Sequence, residues 1–107
     1  MVKVVATKTE FDQIISVKGS EGKLVAVDFT ATWCGPCQRI GPKFVEFADT
    51  YKDVIFIKVD VDENAETAEA CGIEAMPTFH FYKGGEKVDE LVGASEAKLK
   101  EKIEQNK

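Results

Sequence analysis

Residues Leu24 to Thr30 are apolar apart from Asp28 and the closing threonine, and two cysteines three apart follow almost at once in Trp33-Cys34-Gly35-Pro36-Cys37. A near-continuous apolar run of this length suits a strand buried on both faces, in the middle of a sheet covered by helices. A short turn and a helix start after it put both sulfurs on one helical turn. The chain is thereby held to architectures in which an interior strand delivers a cysteine pair to a helix N-terminus.

The flanking segments fit that frame. Val2 to Ala6 reads as a short first strand. Thr7 and Glu10 form a capping-box pattern, and Phe11, Ile14 and Ile15 recur at helical spacing, so a helix is expected over 8–18 and a loop over 19–23. The helix that begins near Cys34 should run to about Tyr51, with Phe44, Phe47 and Ala48 on its apolar face and a kink at Pro42. Val54 to Val61 is rich in β-branched residues and reads as a strand. Asn64 and Gly72 look like the cap and the stop of a short helix. Thr78 to Tyr82, Gly84-Gly85 and Lys87 to Val92 read as strand, hairpin turn and edge strand. Ser95 caps a last helix carrying Leu99 and Ile103. The expected order is β-α-β-α-β-α-β-β-α, an α/β fold with a mixed five-stranded sheet and four helices on both faces, in a single domain over 1–107.

Composition narrows the function classes. Fourteen basic against nineteen acidic residues give a formal charge of −5, with no basic patch of the kind nucleic-acid binders carry. No apolar run approaches the ~20 residues of a membrane helix, and the first residues lack a secretory or transit signature. A cytoplasmic, monomeric protein is expected. Three cysteines are too few, and odd in number, for a stabilising disulfide framework. A close pair then points to redox chemistry or to metal.

Position separates the two sulfurs. Cys34 stands at the helix N-terminus, where unpaired N–H groups and the positive dipole end favour an anion. Cys37 is one turn in and more buried. Cys34 is therefore expected as nucleophile and Cys37 as resolving thiol. Lowering a thiol pKa from about 8.5 to near 7 takes ~2 kcal/mol. A helix end supplies roughly 0.3–1 kcal/mol when exposed and up to ~2 when partly buried. Pro36 is tolerated in a first turn, and Gly35 lets a partner backbone approach.

A CxxC pair near a βαβ pattern is the signature of a thioredoxin-like redox motif. Thr30-Ala31-Thr32-Trp33-Cys34-Gly35-Pro36-Cys37 resembles the active-site stretch of eukaryotic cytosolic thioredoxins. Met76-Pro77-Thr78 resembles the family's cis-proline turn, and Gly84 or Gly85 with Val92-Gly93 its later glycine positions. The resemblance covers the whole chain and implies the thioredoxin fold. It further implies protein disulfide reduction in cell redox homeostasis, on disulfide-containing client proteins. The Cys34–Cys37 disulfide is the redox centre, with no bound cofactor, and thioredoxin reductase regenerates the dithiol from NADPH. Thioredoxins are themselves the reference case for a thiol pKa near 7 and a potential near −270 mV, below a glutathione pool at about −220 to −260 mV.

Other residues gain roles from the same resemblance. Asp28 is a carboxylate in a buried strand, so desolvation alone should raise its pKa; the family match adds a part in deprotonating the resolving cysteine. Lys58, otherwise a surface lysine, matches the lysine paired with that aspartate, and with Gly35 and Pro36 it would tune the redox centre. Pro77 would be trans by base rate and cis by resemblance. Trp33, Val61, Met76, Pro77, Val92 and Gly93 would form the apolar surface that meets clients, with strand-like pairing at Met76. Gln38 stands where the family often has a basic residue. Cys71 reads as an inert core thiol and His80 as a packed strand residue.

Three other readings compete. Cys34 and Cys37 with Cys71 and His80 could make up four zinc ligands. An oxidase or isomerase of the same fold would carry a His between its cysteines, where this chain has Gly35-Pro36. A scaffold could bind partners regardless of redox state.

Overall fold

A computed structural model describes all residues, Met1–Lys107. Five strands form one sheet in the order β1-β3-β2-β4-β5. They are β1 (Val2–Val4), β2 (Val25–Thr30), β3 (Ile55–Asp60), β4 (Thr78–Lys83) and β5 (Glu86–Val92). β1 and β2 run parallel to β3, whereas β4 is antiparallel to both β2 and β5. Every residue of β2 is buried, as its sequence demanded. The hairpin turn between β4 and β5 is Gly84-Gly85 with φ of 66° and 82°, a left-handed pair that glycine adopts without strain.

Pleating sorts β2 onto two cores. Ala26 faces α3 (Gly35–Thr50) and α5 (Glu96–Asn106), among Phe44, Phe79, Phe81, Leu99 and Ile103. Val25, Val27 and Phe29 face the side covered by α1 (Lys8–Ile15), where Phe11 packs. α4 (Ala65–Ala70) covers the same sheet near β3. Phe79 is fully buried, its ring 5.7 Å from that of Phe44. Phe79→Ala is expected to cost about 3–5 kcal/mol, read as a lower denaturant midpoint at unchanged slope.

The expected single helix over 8–18 is two, so the fold has five helices rather than four. Ser16 breaks it. Its ψ of 158° is extended, its hydroxyl donates to the Gln13 carbonyl at 2.6 Å, and its oxygen accepts the Gly19 N–H at 2.9 Å. A serine that satisfies local backbone this way prefers a cap to a helix interior, and α2 (Val17–Ser20) starts from it. A Cβ at Gly19 would collide with the Gln13 carbonyl, so the sharp junction needs glycine. α3 is continuous through Pro42.

Candidate active site

β2 ends at Thr30, and a short turn through Ala31 and Trp33 brings the chain to α3. Cys34 is the N-cap of α3, with extended φ −90° and ψ 109°, and Pro36 lies in the first turn. The Cys37 N–H donates to Cys34 Sγ at 3.2 Å. The two Cα atoms are 5.2 Å apart, within disulfide range, and the Cys34–Cys37 bond is formed. Cys34 is 6% exposed and Cys37 2%, so the N-cap residue is the less deeply buried of the two.

When the bond is reduced, the same donor and the helix end favour negative charge on Cys34. A hydrogen bond to a charged acceptor contributes about 1.5–3 kcal/mol. That range brackets the ~2 kcal/mol a near-neutral thiol needs. The helix end therefore does not have to supply the whole shift.

On the far side of the sulfur, Cys34 Sγ lies 3.7 Å from the Met76 carbonyl oxygen. The Met76–Pro77 peptide is cis. Neither the N–H nor the carbonyl of Met76 has a backbone partner, so both are open to an incoming chain. Val61 and Met76 pack against Cys34, Cys37 and Ala31. The Gly93 N–H donates to the Pro77 carbonyl at 2.9 Å, which sets Val92 and Gly93 beside the turn. Trp33 and Val92 are exposed, at 67% and 58%. Trp33 is therefore no core residue.

Behind Cys37, Asp28 is 2% exposed, and its Oδ1 has no hydrogen-bond partner. Burial pushes its pKa up to about 7, against the opposing pull of Lys58. Lys58 is its register partner in β3. The two close no ion pair, which leaves the carboxyl free to change protonation. Asp28, Cys37, Gln38, Pro42 and Lys58 line one cleft of about 270 Å³.

Two features escaped the sequence. Trp33 Nε1 donates to Asp62 Oδ2 at 2.9 Å, holding the exposed indole over the site from a loop remote in sequence. No local pattern marks Asp62 for that task. Cys71 is half-buried rather than a core thiol, with its sulfur 3.7 Å from the Tyr82 hydroxyl, and His80 is buried. No group of three or more His, Cys, Asp or Glu side chains converges to hold a metal ion. Cys71 and His80 thus do not complete a zinc set with the cysteine pair.

A redox disulfide closed across the first turn of a helix, with an unpaired strand-like turn facing it, defines a thiol-disulfide oxidoreductase. The family model described as Thioredoxin matches residues 2–105. A thioredoxin of Geodia cydonium is 60% identical over the whole of both chains. The structure of Fasciola hepatica thioredoxin superposes with a TM-score of 0.94 at 44% identity, covering 98% of this chain and 99% of the other. Another match, at 34% identity and a TM-score of 0.89, covers 97% and 94%; it concerns the thiol resolving mechanism of a yeast mitochondrial 1-Cys peroxiredoxin via glutathione/thioredoxin systems. The chain belongs to the thioredoxin family and is a protein disulfide reductase of that family.

Proposed function

We propose that Cys34 is the nucleophile of this reductase and Cys37 its resolving thiol. The Cys34 thiolate attacks a client disulfide, forms a mixed disulfide and releases the client's other sulfur as a thiolate, which takes up a proton. Cys37, deprotonated, then attacks Cys34. That step restores the Cys34–Cys37 bond and expels the second client thiolate, so two electrons have passed to the client. The observation that carries this order is the Cys37 N–H donated to Cys34 Sγ at the N-cap of α3.

Asp28 is the group that takes the Cys37 proton. Its pKa of about 7 and its place in the cleft beside Cys37 support the role. Lys58 tunes it by charge, and Gly35 with Pro36 shapes the first turn. Trp33, Val61, Met76, Pro77, Val92 and Gly93 form the client surface, with an extended client segment pairing at the free Met76 backbone.

Further parts of the reading concern its setting. The dithiol is regenerated by thioredoxin reductase from NADPH, and residues 1–107 act as one domain and as a monomer in the cytoplasm. Clients are disulfide-containing proteins, peroxiredoxins among them, and neither nucleic acid nor membrane is a partner. The test is NADPH-coupled reduction of a disulfide protein. Consumption of NADPH should require both this chain and a thioredoxin reductase. Equal consumption when this chain is left out would overturn the reading.

A further inference from the structure

Between the β4–β5 hairpin and the turn after α4 lies a cleft of about 360 Å³ that the exchange chemistry does not use. Its sheet side is set by register: Thr78 pairs with Val92 and His80 with Glu90, so these side chains stand on one face. Val92 is both a wall of this cleft and an exposed residue beside the Pro77 turn. The cleft is therefore continuous with the client surface. Glu90 is two residues from Val92, a step of roughly 7 Å and the same as two residues of an extended client.

The floor holds an unpartnered polar group. His80 is 4% exposed and lines the cleft. Its Nδ1 lies 3.4 Å from the Tyr82 hydroxyl, which lies 3.7 Å from Cys71 Sγ; Nε2 has no partner in the protein. A hydroxyl offered an imidazole nitrogen and a thiol sulfur gives its proton to the nitrogen, since sulfur is a weak acceptor. On that ground Nδ1 is assigned as the acceptor, with Nε2 carrying the hydrogen. Burial, helped by the charge of Lys87 and only partly opposed by Glu90, lowers the ring's pKa, so it is neutral at pH 7. The ring is almost wholly enclosed, but Nε2 is not among the fully buried unpartnered atoms, so it meets the solvent of the cleft, and a ligand acceptor there would take the place of water.

The rim selects among acceptors. Lys87 Nζ is bound to Glu90 at 2.7 Å, which leaves the Glu74 carboxylate without a cation to balance it there. An acidic ligand would be repelled, and a cation would meet the N–H. A carboxamide satisfies both, with its oxygen on Nε2 and its NH2 towards the carboxylates.

We propose that this cleft is a specificity subsite in which a client segment extended along the Met76 turn seats an Asn or Gln side chain against His80 Nε2–H. The inference rests on the reductase reading above. His80 is the specificity-determining residue, and it takes no part in sulfur exchange.

The chain has a single histidine, so its imidazole gives one set of nitrogen and proton signals. The Cys37→Ser chain is joined through Cys34 to cysteine peptides carrying Gln, or Leu in its place, at each of four positions on either side. Gln at one position is expected to move the Nε2 signal, and Leu at that position is not. With disulfide-linked forms of the same peptides, kcat/KM for the wild-type chain should favour Gln over Leu by roughly threefold to tenfold, the worth of one net hydrogen bond. His80→Leu should bring that ratio to one. An Nε2 signal unmoved by every peptide, or a ratio that survives in His80→Leu, overturns the subsite while reduction itself continues. Failure of the wild-type chain to reduce any peptide overturns the reductase reading, and the subsite with it. The spectroscopic arm does not depend on His80→Leu folding.

Discussion

Cys34→Ser is expected to bring disulfide exchange down to the uncatalysed background, whereas Cys37→Ser keeps the first attack and stalls before the second. The asymmetry follows from α3. Only the N-cap position both faces the Met76 turn and receives the Cys37 N–H, so only there is an attacking anion stabilised. A serine hydroxyl at that position has a far higher pKa and no comparable nucleophilicity. With Cys37 replaced, the mixed disulfide has no nearby thiol to resolve it. Covalent complexes with clients should accumulate and survive denaturation without reductant, and intact-mass measurement would count them. Accumulation in the Cys34→Ser chain instead would reverse the roles.

Asp28→Asn should stabilise the fold and slow turnover together. The folded pKa of Asp28 stands near 7 against an ordinary 3.8. Because it is raised, the acid's contribution is favourable below about pH 4 and is lost as pH rises through 7. At 1.36 kcal/mol per unit, the burden of the charged form above pH 7 approaches about 4 kcal/mol. The variant should therefore unfold at higher denaturant than the parent at pH 8, by a few kcal/mol, and the gap should close towards pH 4. Its reduction rate should fall, and the pH dependence near 7 should flatten as the proton acceptor for Cys37 is lost. A stability gap of equal size at pH 4 and pH 8 would show that the carboxyl is not held near neutrality. An unchanged rate across neutral pH would remove Asp28 from the mechanism. A residue that costs stability yet occupies the middle of β2 makes sense where its chemistry is used.

The sequence carried the parts of this fold that depend on neighbours in the chain. The apolar run of β2, the caps Thr7, Asn64 and Ser95, and the glycine pair of the hairpin are local signals, and each element formed where they lie. Ser16 was also a local signal, with Gly19 three residues on, but the helical spacing of Phe11, Ile14 and Ile15 masked it. The cysteine pair declared its geometry because helix position alone orders the two sulfurs. What lay beyond local reading were contacts across the fold. The Trp33–Asp62 hydrogen bond joins two loops 29 residues apart. The Cys71, Tyr82 and His80 chain appears only once α4 and β4 are folded together. The free backbone of Met76 opposite Cys34 was legible through family resemblance and not through any propensity of the residues.

Disulfide exchange by this chain depends on a Cys34 sulfur that is ionised near neutral pH once the disulfide is opened. The rate of its alkylation by iodoacetamide, followed on the reduced chain from pH 5 to pH 10 with glutathione in parallel, reads that directly. A midpoint near pH 7, the value thioredoxins are known for, is expected for Cys34, well below the roughly 8.5 of an ordinary thiol. A Cys34 profile that overlays glutathione would contradict the account.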